Sequence, residues 1–314
     1  MRSGFLTWRA EPAVGPMTAS RHRSYRRWAF VARAHLELGK PRLSVLVVLT
    51  TAAGYILAGP QAVGWARLAW ALSGTALAAW GANALNQWLE RPRDARMHRT
   101  QHRPLPARRV RPGSALAFGL VTGVGGPLVL TLTVGPAAGT LAAATVVIYV
   151  ALYTPLKVRT SLNTLVGAVV GAIPPLIGWQ AAVGRLEPGA WVLAAILFVW
   201  QVPHFLALAW LHRADYQRGG FEMLPAVDPR GHLTACLATI YTLLLLPLSL
   251  ALVFFGVAGW GYAVGAVLLG VAFALVAVNH ERQLSAVTAR RLFFASIVYL
   301  PLLLTLMMLD RGPA

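Results

Sequence analysis

The chain has 314 residues, of which 57% are hydrophobic and only 12% charged, with a mean hydropathy of +0.60; a soluble surface needs about twice that charged share, so a soluble globular protein is excluded. The net charge of +18, from 28 basic and 10 acidic residues, would suggest a nucleic-acid partner if the basic residues formed one folded patch, and their distribution argues against that. A single cysteine, Cys236, lies in an apolar run and excludes an internal disulfide, a cysteine zinc cluster and a CxxC redox pair.

Residues 1–36 are rich in arginine and read as a poorly ordered cytoplasmic tail rather than a transit peptide, with Met17 a second candidate start. Residues 1–30 have no apolar stretch of the signal-peptide kind, so the first helix is expected to stay as an anchor. From residue 37 to 314 the sequence reads as one all-α, polytopic membrane domain. Apolar runs long enough to cross a bilayer occur near 43–59, 65–89, 114–134, 137–153, 163–183, 189–211, 233–255, 259–279 and 292–309. Nine spans put the termini on opposite sides. On that threading 25 of the 28 Lys and Arg fall on the N-terminal side, leaving Arg67, Arg185 and Arg311 on the other. The charge is thus mainly a topology signal: N terminus cytoplasmic, C terminus outside, no nucleic acid.

Ionisable groups are costly in hydrocarbon and mark sites. Five of the ten acids lie in two segments of the cytoplasmic side: Glu90 and Asp94 after the second span, and Asp215, Glu222 and Asp228 after the sixth. The equivalent placement of the two segments hints at two four-helix units plus a ninth helix. In the first segment, Asn86, Glu90 and Asp94 are spaced i, i+4, i+8, which stacks three oxygen-bearing side chains along one helical face. Pro92 interrupts this face and is expected to kink or end the helix there. Hard oxygen ligands a turn apart suit magnesium, which takes a carboxylate or two together with waters and phosphate oxygens. On spacing alone, an ordinary interfacial loop with its acids paired to Arg91, Arg93 and Arg96 accounts for the pattern equally well.

The same residues resemble the intramembrane aromatic prenyltransferases of the UbiA superfamily, whose first motif is Asn-x3-Asp-x3-Asp followed by Arg-Thr-x-x-Arg-Pro-Leu. Asn86, Glu90 and Asp94 take the motif positions, with Glu for the middle Asp, and Arg99, Thr100, Arg103, Pro104 and Leu105 match the second segment. Residues 37–42 (Glu-Leu-Gly-Lys-Pro-Arg), Tyr153-Thr-Pro-Leu-Lys157 with Asn163 to Pro175, and Trp200-Gln-Val-Pro-His204-Phe205 leading to Asp215-Tyr216 are similar to the branch that farnesylates heme. The second motif departs from the superfamily's Asp-x3-Asp, because Gly219 follows Asp215 at that spacing.

The resemblance implies nine helices around a lipid-accessible cavity and transfer of the farnesyl group of farnesyl diphosphate to a vinyl carbon of heme b. Heme O and diphosphate are the products, water completes the hydroxyethylfarnesyl side chain, and heme is a substrate instead of a cofactor. It further implies Mg2+ and diphosphate held by Asn86, Glu90, Asp94 and Asp215, with Lys157, Arg99 and Arg103 on the diphosphate oxygens. Asn83, Tyr153 and His204 are implied as further substrate contacts. Heme A synthase or terminal-oxidase assembly factors are implied as partners, beside membrane lipid. An allylic cation would be shielded by aromatic faces, for which Trp88, Tyr149, Tyr153, Trp179, Trp200 and Phe205 are candidates. His98, His102, His212 and His232 are expected to be interfacial. Two alternatives are a polyprenyltransferase acting on a quinone-precursor ring and a secondary transporter, suggested by Gly125-Gly126-Pro127 and Pro174-Pro175. A transporter wants its acids near mid-membrane, whereas these gather at one face.

Overall fold

The structure, a computed structural model, describes residues 31–59 and 64–312. Residues 1–30 of the expected tail, Met17 included, lie outside the described residues. The expected tail boundary at 36 falls inside a helix, α1, Val31–Leu38. The chain continues through α2 (Pro41–Leu57), α3 (Gly64–Asp94), α4 (Pro112–Thr133) and α5 (Pro136–Val147). A π-helical turn (Ile148–Tyr153) leads into the short α6 (Thr154–Leu156) and then α7 (Asn163–Val183) and α8 (Pro188–Leu211). Two short helices, α9 (Arg213–Gly219) and α10 (Leu224–Val227), precede α11 (His232–Phe254), α12 (Trp260–Gln283) and α13 (Ala286–Leu309).

The chain is a multi-pass all-α membrane protein. Seven stretches (α4, α5 with α6, α7, α8, α11, α12, α13) are each long and apolar enough to cross a bilayer, and α1 with α2, bent by 52°, makes an eighth if counted as one broken span. The α3 helix, 31 residues and about 46 Å long, is not among them: its stretch between Arg67 and Glu90 is free of charge, but Ser73, Gly74, Thr75, Gly81, Asn83, Asn86 and Gln87 dilute its apolar character. Seven to eight spans by length and composition therefore stand where the sequence suggests nine. The last helix starts earlier than the apolar run at 292, because Ser285 and Thr288 form a capping box that draws Arg290 and Arg291 into its first turns.

Lipid gives helices no hydrophobic reason to associate, so close packing of small residues carries the bundle. A Cβ on Gly81 would fall on the backbone of Gly123, and one on Gly126 on that of Ala78, so α3 and α4 touch backbone to backbone. The α2–α7 contact is of the same kind, Gly54 lying against Pro175 and Gly178 against Thr51 and Tyr55. These contacts fix α3 against α4 and α7 against α2. Large apolar side chains such as Val121, Leu132, Leu268 and Leu275 face outward, as lipid contact requires.

Candidate active site

Asn86, Glu90 and Asp94 lie on the last turns of α3, all buried (0%, 5% and 0% exposed). The α3 helix runs through Pro92 instead of ending at it. Proline has no N–H for the carbonyl four residues back, and Arg91 compensates: its Nη1 donates to the Trp88 carbonyl at 2.6 Å while its guanidinium stacks over the Trp88 ring. The helical register is thereby carried to Asp94. The acids do not pair with Arg91, Arg93 or Arg96. Glu90 accepts from Lys157 Nζ at 2.8 Å, and Asp94 receives Arg103 Nη1 on both oxygens at 2.8 and 2.9 Å. The interfacial-loop reading of the motif loses its pairings.

Lys40, which sequence reasoning missed as a site residue, points into the same cluster and donates to Asn86 Oδ1 at 2.9 Å. Asn86 Nδ2 in turn donates to Thr154 Oγ1 (3.1 Å), and Thr154 donates to the Tyr149 carbonyl (2.7 Å). Lys40 sits in the left-handed region, φ 49°, at the bend between α1 and α2. Side chains of α3 hold that strained turn: Asn83 donates to the Gly39 carbonyl, and Gln87 to that of Leu38. A signal was present. The chain has two lysines against 26 arginines, and both lysines converge on the Asn86–Glu90 face.

Lys157 is placed by the π-helical turn, a form that widens a helix locally and often marks functional sites. Its ammonium also lies 4.5 Å from the Tyr153 ring centroid. The backbone around it is tied down, since the Glu222 N–H donates to the Lys157 carbonyl at 2.7 Å and Asn163 donates to the Glu222 carbonyl. Glu222, unassigned by sequence, thus contributes its backbone. Asp228 accepts from the N–H of Gly231 and Thr234 and from the Thr234 hydroxyl, which organises the start of α11.

Asp215 is engaged differently from the other acids. Its oxygens accept from the backbone N–H of His98 (3.1 Å) and Arg99 (3.2 Å) and from Arg218. Burial pushes its pKa up, but the Arg218 guanidinium and the two backbone donors outweigh that and hold it below the usual aspartate value. Arg99 donates to the Tyr216 hydroxyl at 3.2 Å and stacks on that ring. The 95–111 loop is thereby fastened to α9.

Beneath the polar cluster lies a cavity of about 180 Å³, mostly apolar, lined among others by Val47, Asn83, Tyr149, Tyr153, Gln201 and Phe205. Tyr149 and Tyr153 stack, centroids 5.1 Å apart. Three of the six candidate aromatics therefore face it. The others do not: Trp88 packs under Arg91, Trp179 donates to Glu187, and Trp200 donates to the Ser296 carbonyl. His204 is on another face of α8, with Nδ1 at 2.8 Å from Ser296 Oγ and its ring stacked between Trp200 and Phe293. It is not among the cavity's lining residues.

Charged groups at the mouth of a greasy cavity suit an amphiphile with an anionic head and an apolar tail. Residues 47–298 match the UbiA prenyltransferase family. The chain belongs to that family. Among its relatives, the protoheme IX farnesyltransferase of Solibacter usitatus is 44% identical over 288 residues, covering 89% of this chain and 99% of the relative. The mitochondrial protoheme IX farnesyltransferase of Arabidopsis thaliana is 40% identical over 281 residues, covering 89% and 65%. Among solved structures, a UbiA homologue from Archaeoglobus fulgidus bound to GPP and Mg2+ shares the fold at 10% identity, with a TM-score of 0.68 over 87% of this chain and 99% of the other. Digeranylgeranylglyceryl phosphate synthase superposes with a TM-score of 0.76 at 14% identity, covering 89% and 98%.

Among the described residues of this UbiA chain, no three His, Cys, Asp or Glu side chains gather as a metal cluster. The donor set still fits magnesium, which needs only one or two carboxylates beside waters and phosphate oxygens. Glu90 and Asp94, a turn apart and flanked by the Asn86 amide, meet that requirement.

Proposed function

We propose that this UbiA prenyltransferase transfers the farnesyl group of farnesyl diphosphate to a vinyl carbon of heme b, giving heme O and diphosphate. The observation that carries the reading is the juxtaposition of Lys40, Lys157 and Arg103 with Glu90 and Asp94 at the mouth of the Tyr149–Tyr153 cavity. The relatives named for heme farnesylation supply the acceptor. Asn86, Glu90 and Asp94 would hold Mg2+, which when bound supplies divalent counter-charge to the diphosphate oxygens.

The chain's own cations act at the same place. Lys157 and Arg103 are held by carboxylates in the described state, and on binding they turn their donors to the diphosphate oxygens, with Lys40 beside Asn86 as a third. Charge developing on the leaving group is met by preorganised cations without reorganisation of solvent. Tyr149 and Tyr153 present their faces to the allylic carbon and exclude water from it. We infer for Asp215 a positioning role: its two backbone contacts hold the segment that carries Arg99 and leads to Arg103. Arg99 reaches the diphosphate only by leaving Tyr216. His204, on the α13 side of α8, is retained as a heme contact outside the farnesyl cavity. Delivery to heme A synthase or oxidase assembly factors rests on the resemblance alone.

The positive-inside bias supports an N terminus in the cytoplasm and a C terminus outside, with the polar cluster at the cytoplasmic side of the membrane. The test is incubation of the purified protein with heme b, farnesyl diphosphate and magnesium, followed by mass analysis of the pigment. Heme carrying one farnesyl group and one added water is expected. Unaltered heme b, with a prenylated quinone precursor formed instead, would overturn the reading.

A further inference from the structure

Gln201 lies on α8, inside the membrane region, and is 6% exposed. Its Nε2 donates to the Leu197 carbonyl at 2.9 Å and to the Ala168 carbonyl at 3.4 Å. Two backbone acceptors fix which end of the carboxamide is nitrogen and commit both N–H groups. The oxygen, Oε1, lies against Gly171, where a Cβ would collide with it, and both residues line the cavity. No donor to Oε1 is found among the described residues, and it is not one of the sealed polar atoms without a partner. It is a rigidly mounted acceptor at the wall of a mostly apolar chamber.

Its depth follows from α7. The Tyr153 ring packs on Gly167 and the Gln201 carboxamide on Gly171, one turn or about 6 Å farther from the cytoplasmic end. Lys157, in the loop that precedes α7, has its Nζ 4.5 Å from the Tyr153 ring centroid and bonded to Glu90. The order from the mouth is therefore cations, aromatic face, amide oxygen.

We propose that Gln201 positions the water that completes the product; the proposal rests on the heme-farnesylation reading above. The C1–O bond of farnesyl diphosphate breaks and its electron pair leaves with diphosphate. The vinyl π electrons of heme form the new bond to C1, which leaves the positive charge on the inner vinyl carbon. A water donating one hydrogen to Oε1 directs a lone pair at that carbon, the C–O bond forms, and the surplus proton passes to the released diphosphate. No oxidant or reductant is needed. Buried water requires two to four polar partners, and the hydroxyl-bearing residues Thr145, Tyr149 and Tyr153 are among those that line the same space. Asn83 also lines it, but its Nδ2 braces the Gly39 turn and it stands one turn from Asn86, at the diphosphate end. Without a held water the cation loses a proton and gives an alkene lighter by one water.

The experiment is product analysis with wild-type protein and Gln201→Met in heavy-oxygen water. Wild type is expected to place the heavy oxygen in the new hydroxyl, and Gln201→Met to lower the ratio of hydrated to dehydrated farnesyl-heme by about tenfold or more, the effect of one directed hydrogen bond. Gly171→Ala, whose methyl displaces the carboxamide oxygen, is expected to shift the ratio in the same direction and decides the matter if Gln201→Met does not fold. A wild-type ratio in the folded variants, a shift produced by Asn83→Ser and not by them, or a hydroxyl oxygen not drawn from water would overturn the proposal. If wild type makes no farnesyl-heme at all, the heme-farnesylation reading fails and this proposal with it; a changed ratio alone leaves that reading standing.

Discussion

Lys157→Met separates the two duties of the Lys157–Glu90 pair. The groups are 2.8 Å apart with side chains only 12% and 7% exposed, so the near-zero value typical of surface pairs does not apply. Removing one partner of a buried pair leaves an uncompensated charge and costs about 3–5 kcal/mol. The same substitution removes a preorganised cation from the leaving group, worth about a hundred- to a thousandfold in turnover. Glu90→Gln in the Lys157→Met background removes the stranded charge, so much of the stability should return while turnover stays low. Thermal unfolding in detergent, run as a double-mutant cycle beside single-turnover assays, reads both. If the two destabilisations simply add, the pair is not coupled. If Lys157→Met turns over within twofold of wild type, Lys157 does not meet the diphosphate.

Asp94→Ala should still insert into the membrane but form no detectable heme O, and normal turnover would remove it from the metal site. Lys40→Met should weaken farnesyl diphosphate binding by about tenfold, one charge-assisted contact, measured by equilibrium binding, with little effect on heme binding. Asp215→Ala should expose the 95–111 loop to limited proteolysis while leaving magnesium affinity unchanged; a weakened magnesium affinity would make Asp215 a ligand after all. The folded-state pKa of Asp215 is depressed, so its contribution to loop protection is complete above the unfolded aspartate value and is lost as pH falls through the lower folded one. Protection should therefore hold through neutral and mildly acidic pH, and loss near pH 6 would contradict this. His204→Ala should alter heme difference spectra; unchanged spectra and affinity would take it out of the heme site.

Composition alone determined that this chain crosses a membrane several times, because a bilayer requires long apolar runs. The i, i+4, i+8 spacing likewise placed Asn86, Glu90 and Asp94 on one buried face, since helical periodicity is a property of the local chain. What the spacing left open was the partners, and those came from other helices: Lys157 from beyond the π-helical turn, Arg103 from the next loop, Lys40 from the bend before α2. The continuation of α3 past Pro92 depended on an arginine side chain replacing a backbone donor, which no propensity encodes. Gly219 in the second motif marked a departure without saying what Asp215 does, because its contacts are N–H groups more than a hundred residues away in sequence. The apolar helices are nearly uniform in composition, so which aromatic faces the cavity and which faces a neighbouring helix was settled only by rotation of each helix in the packed bundle, through contacts such as Gly81 on Gly123 and Gly178 on Thr51.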